Sequence, residues 1–321
     1  MKEFQLIRQI QRDTSVSSSP GSDSGVRLGI GDDAAVLEVP AGQHLVAATD
    51  TLNVGTHFPV DTSAFDIGYK CLAVNLSDLA AMGAVPRWAL LSLSLPEADP
   101  VWMQSFTAGF KSLAQLYGVA LVGGDTTSGP LSVSLTALGH IEPGRSLKRS
   151  GAKPGDLLVV SGTLGGAAHA LEMLQAGNAI SEQHLLDRPQ PRVELGQALV
   201  GFASACIDVS DGLLADLGHV LKASGCGATI ELEKLPQTDA LAELADELKW
   251  NYQLSGGDDY ELLFTLPRVH QPLLTGWSQQ LGIGLSVIGE IEEGEGCRCI
   301  SPDGAIYNPK SAGFEHFQHK S

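Results

Sequence analysis

The stretch Arg149-Ser150-Gly151-Ala152-Lys153-Pro154-Gly155-Asp156 decides how this chain is divided. It is polar, carries two glycines and a proline, and separates two long segments in which helix-like and strand-like patterns alternate, as linkers between compact units do. Two αβ domains are therefore expected, residues 1–148 and 149–321. Reading back toward the N-terminus, residues 131–141 alternate as a strand, and 119–122 form a buried strand running into Gly123-Gly124-Asp125. Residues 101–117 are an amphipathic helix, and 89–95 alternate Leu and Ser as a strand. A helix over 65–82 lines up Leu72, Leu76 and Leu79 on one stripe, with Asn75 and Asp78, three apart, sharing a face. Strands at 44–50 and 34–39 precede it. A short helix at 4–12 opens the chain, and a Ser/Gly/Pro-rich loop over 15–25 receives no role. Reading forward, 157–161 is a strand, 162–166 a glycine turn and 167–175 a helix. A strand ends at Cys206–Asp208, before a helix over 212–223 that Ser210 or Asp211 can cap. Strands follow at 228–232, 260–266 and 285–291. Gly29-Ile30-Gly31-Asp32-Asp33 is similar to Ser255-Gly256-Gly257-Asp258-Asp259, each before an apolar strand, which hints at two similarly built halves.

The 321 residues are 43% hydrophobic, enough for two ordinary cores. A formal net charge of −17 argues against nucleic acid or an anionic membrane as partner. It does not exclude a phosphorylated ligand, because a divalent cation can bridge carboxylates to phosphate oxygens. No apolar run approaches the ~20 residues that span a bilayer, and the N-terminus lacks the features of a signal peptide, so the cytoplasm is expected. Five cysteines, Cys71, Cys206, Cys226, Cys297 and Cys299, form no CxxC pair, and Cys297 and Cys299 read as incidental.

The chemistry lies in the aspartates. Asp32, Asp33, Asp50, Asp78, Asp125, Asp208, Asp211, Asp258 and Asp259 sit in short Gly-rich or strand-end motifs. Each alone reads as a turn or cap residue. Gathered together, carboxylates about 4 Å apart repel by about 4 kcal/mol at an effective dielectric near 20, so the set calls for hard cations, Mg²⁺ above all. Gly29-x-Gly31-x-x-Ala34 matches a dinucleotide fingerprint in form, but it leads into a strand stopped by Pro40 instead of a helix. No Gly-Lys dipeptide occurs, so a Walker A loop is absent. The turn Gly162-Thr163-Leu164-Gly165-Gly166 reads equally as an anion cradle or a tight strand-to-helix turn. Asp208 at a strand end and Asp211 at a helix start lie where αβ folds gather ligands. His57 is a phosphate or ring contact or an ordinary loop histidine. Arg149 is a phosphate contact or one half of a surface ion pair. No general base stands out, and transfer to a phosphate acceptor needs none, because that oxygen is already ionised near neutral pH.

In this order the motifs Gly29–Ala35, Thr49-Asp50-Thr51-Leu52 with Gly55-Thr56-His57-Phe58, Ala73–Ala84, Gly123–Thr127, Arg149–Ala152, Asp208–Leu213 and Ser255–Glu261 closely resemble the thiamine-monophosphate kinases of the aminoimidazole ribonucleotide synthetase-like superfamily, nearly end to end. The resemblance implies an α/β (α+β) fold of two αβ domains, with the cleft between the halves holding the site and amino-terminal sheets pairing in a homodimer. It implies ATP-dependent, Mg²⁺-assisted phosphorylation of thiamine monophosphate to thiamine diphosphate. Carried over by motif, Asp33, Thr49, Asp50, Asp78, Asp125, Asp208 and Asp211 are metal ligands, with Asp125, Asp50 and Asp211 central. Tyr117, Gly124, Asp125, Arg149 and Ser210 are ATP contacts, and His57, Asp258 and Phe314 are thiamine phosphate contacts, with Phe317 a rival for Phe314. Two departures stand out. Asp258 takes a position that is commonly Glu, and Ala48 one that is commonly Ser.

Overall fold

The computed structural model describes residues 3–14, 24–178, 181–311 and 313–314; residues 15–23 and Phe317 lie outside the described residues. The chain gathers into two compact units, Met1–Leu79 with Ala84–Gly144, and Ala80–Gly83 with Arg145–Ser321.

The first unit runs α1 (Glu3–Thr14), β1 (Val26–Leu28), β2 (Val36–Leu37), β3 (His44–Asn53), α2 (Ala64–Ala81), β4 (Val85–Leu95), α3 (Pro100–Tyr117), β5 (Ala120–Ser128) and β6 (Ser132–Ile141). β1 and β2 form a small antiparallel pair, and the main sheet has the order β3-β6-β4-β5, with β4 and β5 parallel. Alternation decides the faces of β4: Leu91, Leu93 and Leu95 are buried, whereas Leu90 and Ser92 are exposed. The expected α2 stripe, Leu72, Leu76 and Leu79, is fully buried. α2 meets α3 through glycines on both helices. A Cβ on Gly68 would lie 2.0 Å from the Phe106 carbonyl oxygen, and one on Gly109 would lie 1.9 Å from that of Phe65. Each glycine costs a helix interior about 1 kcal/mol, and the close backbone crossing is what requires it. α3 starts where Asp99 accepts the Val101 N–H ahead of Pro100, and stops at Gly118 in the left-handed region.

The second unit runs β7 (Leu157–Ser161), α4 (Gly166–Gln175), α5 (Gln183–Asp187), α6 (Val193–Leu199), β8 (Ala205–Val209), α7 (Leu213–Ser224), β9 (Gly227–Glu231), α8 (Asp239–Ala242), α9 (Asp246–Ser255), β10 (Glu261–Leu266), α10 (Leu273–Leu281), β11 (Leu285–Glu292), β12 (Gly296–Ile300) and β13 (Ile306–Tyr307). Its seven-stranded sheet has the order β13-β12-β9-β11-β7-β10-β8, antiparallel except where β12 runs parallel to β9. β7, β8 and β10 are buried at every position and are mainly apolar, with Asp208, Glu261 and Thr265 the buried polar exceptions alongside Ser161. Where β10 begins, Glu261 takes a two-pronged ion pair from Arg192, at 2.7 Å from Nε and 2.5 Å from Nη2, and accepts from the Ser161 hydroxyl at 2.5 Å. The likeness between residues 29–33 and 255–259 ends with the motifs: the first leads to a two-residue, partly exposed strand, the second to the fully buried β10.

Candidate active site

In the first unit, the turn after Ile30 is fixed by Gln11 Nε2 donating to the Ile30 carbonyl at 2.7 Å and by Asp32 Oδ1 accepting the Asp33 N–H at 2.9 Å. Asp32 is thus a turn residue. Asp33 and Asp125 line one cavity of about 820 Å³, together with Gly31 and Gly124. Gly124 has φ +147°, and a Cβ there would lie 1.8 Å from the Leu91 carbonyl oxygen. The strand geometry just before Asp125 therefore requires glycine.

A second group forms where β3 faces α2. Asp50 shares a side-chain hydrogen bond with Asp78, and the nearby His57 also favours its charged form. Burial nonetheless raises the Asp50 carboxyl above its ordinary value, outweighing both. Asn75 lies on the Asp78 face, fully buried; its Nδ2 donates to the Cys71 carbonyl at 3.0 Å, and its Oδ1 has no hydrogen-bond partner. Thr49 bonds across the sheet instead, its hydroxyl 3.0 Å from both the Leu135 carbonyl and Thr136 Oγ1. The His57 ring is oriented by the Asn53 N–H, which donates to Nδ1 at 2.9 Å, so the proton of the neutral ring sits on Nε2. The buried Lys70 holds the same turn through the His57 carbonyl at 3.2 Å. Tyr117 ends α3, eight residues before Asp125, and is not part of the Asp33–Asp125 cavity.

In the second unit, four of the expected residues come together with Phe314. β8 places the buried Asp208 at its end, and Ser210 and Asp211 follow in the turn to α7. Neither Ser210 nor Asp211 caps α7, contrary to expectation. Gly212, at φ +122°, takes the N-cap position without a side-chain bond, and Asp216, in the first turn of α7, reaches back. Its Oδ2 accepts the N–H groups of Ser210, Asp211 and Gly212 at 3.0, 3.0 and 3.2 Å. Burial, and then the charges of Asp208 and Asp211, push the Asp216 carboxyl up to about 7. Sequence reasoning missed this residue. An acidic side chain in the first turn of a helix was the available signal.

The same turn is the anchor for two distant segments. The Asp258 and Tyr260 N–H groups donate to the carbonyls of Ser210 and Val209 at 2.9 and 2.8 Å, and the Phe314 N–H donates to that of Asp211 at 2.9 Å. Asp258 and Tyr260 hold left-handed φ values of 69° and 50°, and the Tyr260 hydroxyl donates to Asp258 Oδ1 at 3.1 Å. Asp259 turns elsewhere, accepting the Gly165 N–H at 2.8 Å. Burial raises its carboxyl well above the ordinary range. The Gly162–Gly166 turn is thus tied by an acidic side chain. Arg149 leads the linker, and just before it the Lys148 carbonyl accepts the Cys206 N–H of β8 at 2.8 Å.

All of these donors are hard oxygens. Among the described residues no three His, Cys, Asp or Glu side chains converge to hold a metal ion by themselves. Paired carboxylates with a buried, unpartnered Asn75 oxygen fit Mg²⁺, which characteristically takes one or two carboxylates and completes its shell with water and substrate phosphates.

Residues 31–141 match the family AIR synthase related protein, N-terminal domain, and residues 153–301 match AIR synthase related protein, C-terminal domain. The thiamine-monophosphate kinase of Salmonella typhimurium is 47% identical over 91% of this chain and 92% of its own, and that of Haemophilus influenzae 41% identical over 99% and 98%. Among solved structures, the thiamine-monophosphate kinase from Stenotrophomonas maltophilia superposes with a TM-score of 0.87 at 46% identity, covering 96% of this chain and 98% of that one. AaThiL complexed with AMPPCP and TMP gives 0.75 at 34% identity, covering 98% and 97%. The hydrogenase maturation protein HypE of E. coli, at 20% identity and a TM-score of 0.80 over 98% of both chains, shares the fold alone. The chain belongs to the thiamine-monophosphate kinase family, built from the two AIR-synthase-related domains.

Proposed function

We propose that this protein transfers the γ-phosphoryl group of ATP onto the phosphate of thiamine monophosphate, giving thiamine diphosphate and ADP, and that it does so in the cytoplasm as a homodimer. The observation that carries the reading is the turn after β8, which fixes Asp208, Ser210, Asp211, Asp258 and the backbone of Phe314 in one place. The aromatic ring of Phe314 and the carboxylate of Asp258 suit a cationic thiazolium: the ring face and the anion both favour positive charge. His57, with Nδ1 occupied by the Asn53 N–H, offers Nε2–H to a phosphate oxygen. Ser210 and Arg149, with Gly124 and Tyr117, serve ATP. Asp33, Asp50, Asp78, Asp125, Asp208 and Asp211 would hold Mg²⁺, with Thr49 beside Asp50. When bound, Mg²⁺ screens the phosphate oxygens from one another and aligns them for in-line transfer. The chain's own contribution is positioning, since the acceptor oxygen is ionised and no proton has to be removed. The dimer reading is supported by the outer face of the first sheet, where Leu45 and Leu90 are 53% and 36% exposed beside polar positions. Sedimentation of the full chain measures that state.

Incubation with MgATP and thiamine monophosphate, followed by chromatography, is expected to yield thiamine diphosphate, and chelation by EDTA to stop it. The variant Asp125→Asn is expected to keep the fold and lose turnover. No product at high enzyme concentration overturns the assignment.

A further inference from the structure

Between β3 and α2 the chain makes a tight turn over residues 53–58 that carries His57. Its own backbone closes it. The Gly55 N–H donates to the Phe58 carbonyl at 2.8 Å, and the Thr56 and His57 N–H groups donate to the Asn53 carbonyl at 3.2 and 3.0 Å. Phe58, 3% exposed, anchors the end of the turn in the core. Three polar atoms of His57 are engaged: its N–H by the Asn53 carbonyl, its Nδ1 by the Asn53 N–H, and its carbonyl by Nζ of Lys70 at 3.2 Å. The first two bonds are made within the turn, whereas the third reaches it from α2.

Lys70 is only 2% exposed. Taking an ammonium out of water is costly, and an apolar side chain of similar length would fill the same space without that cost. What the ammonium supplies and a methionine cannot is a charged donor aimed at one backbone carbonyl. The helix that carries it also carries Asp78, eight residues further on and about 12 Å along the axis, whose side chain bonds Asp50. One helix thus holds both the histidine turn and the Asp50–Asp78 pair.

We propose that Lys70 is a positioning residue for the acceptor substrate. Acting through the His57 carbonyl, it fixes the imidazole at a set place relative to the Asp50–Asp78 pair, so that the phosphate of thiamine monophosphate is held where the γ-phosphoryl group can reach it. The inference rests on the assignment of His57 to thiamine monophosphate, and it gives Lys70 no contact with either substrate. Without Lys70 the turn keeps the bonds it makes to itself and stays closed, but its seat on α2 is lost.

A double-substitution cycle separates positioning from simple filling of space, because a residue that acts through His57 has nothing to act on once the ring is removed. Steady-state KM values for both substrates are measured on the full chain, on Lys70→Met, on His57→Ala and on the double variant, each checked for folding by thermal unfolding. Losing one bond from a charged donor, Lys70→Met is expected to raise the KM for thiamine monophosphate about tenfold and to leave that for ATP within about twofold. Added to His57→Ala, it is expected to raise the KM for thiamine monophosphate no further. Lys70→Gln, which keeps a neutral donor on a shorter arm, should fall between the parent and Lys70→Met, and it carries the same cycle should the methionine variant not fold. If His57→Ala raises that KM but the Lys70 variants do not, if the two effects multiply, or if the KM for ATP rises equally, the proposal is overturned. If His57→Ala itself leaves the KM for thiamine monophosphate unchanged, the assignment of His57 falls first and this inference with it.

Discussion

Asp216 offers the sharpest test of the site's construction, because one oxygen holds three consecutive backbone amides. The side chain is 3% exposed, and the bonds are 3.0, 3.0 and 3.2 Å long. Truncation in Asp216→Ala orphans all three donors. A buried donor left unpaired costs about 1–3 kcal/mol, and with water entering the vacated space the lower figure applies to each, giving about 3 kcal/mol in all. Asp216→Asn keeps an oxygen in the same place. It exchanges charge-assisted bonds for neutral ones about half as strong, but it also removes the repulsion from Asp208 and Asp211, so its expected cost is about 1 kcal/mol or less. Amide hydrogen exchange at residues 210–212 reads this directly. At tenfold per 1.4 kcal/mol, the alanine variant should exchange these amides about two decades faster, and the asparagine variant less than about tenfold faster. If the alanine variant leaves all three rates within about threefold of the parent, Asp216 does not hold the turn.

Three further outcomes follow from the same structure. Gly109→Ala places a methyl 1.9 Å from the Phe65 carbonyl oxygen and should cost about 3 kcal/mol or more by chemical denaturation, whereas Gly276→Ala, inside α10 with nothing within 4 Å, should be neutral or stabilise by up to about 1 kcal/mol. His140, lowered from its ordinary value by burial and by Arg87, accepts from Arg87 Nε at 3.0 Å and should remain neutral in histidine NMR titrations below the pH at which a free histidine protonates. Because its folded value is the lower one, its stabilising contribution is present above the unfolded value of about 6.5 and is lost as pH falls below it; a folded-state titration at or above 6.5 would refute this. His57→Ala should mainly raise the KM for thiamine monophosphate, and a selective loss of ATP binding would misplace the ring.

Much of this was legible because it is local. The α2 stripe of Leu72, Leu76 and Leu79 follows from a 3.6-residue period, and the buried runs of β7 and β10 from mainly apolar sequence. α5, α6, α8, α9 and α10 were not foreseen. α6 is seven residues long, and α9 buries Trp250, Tyr252, Gln253 and Leu254, which surround that helix and leave no apolar stripe to detect. Motifs marked the aspartates, but periodicity could not show that Asp50 meets Asp78, or that residues 258 and 314 fasten onto residues 210 and 211. Those contacts depend on which strands become neighbours. Asp216 lay within reach as a first-turn acid and was hidden by the more conspicuous Ser210 and Asp211 ahead of it.

The left-handed backbone at Asp258 explains the residue that stands there. At φ 69° a short side chain that bonds locally is tolerated far better than a longer one, and Asp is among the few residue types enriched in that region. Glutamate at this position would lengthen the carboxylate by one methylene while straining the peptide, so the two effects are separable: a longer arm alters how ligand is held, and a strained loop loosens its bonds to Val209 and Ser210. A substitution that looks conservative on paper is, at this position, a change of backbone.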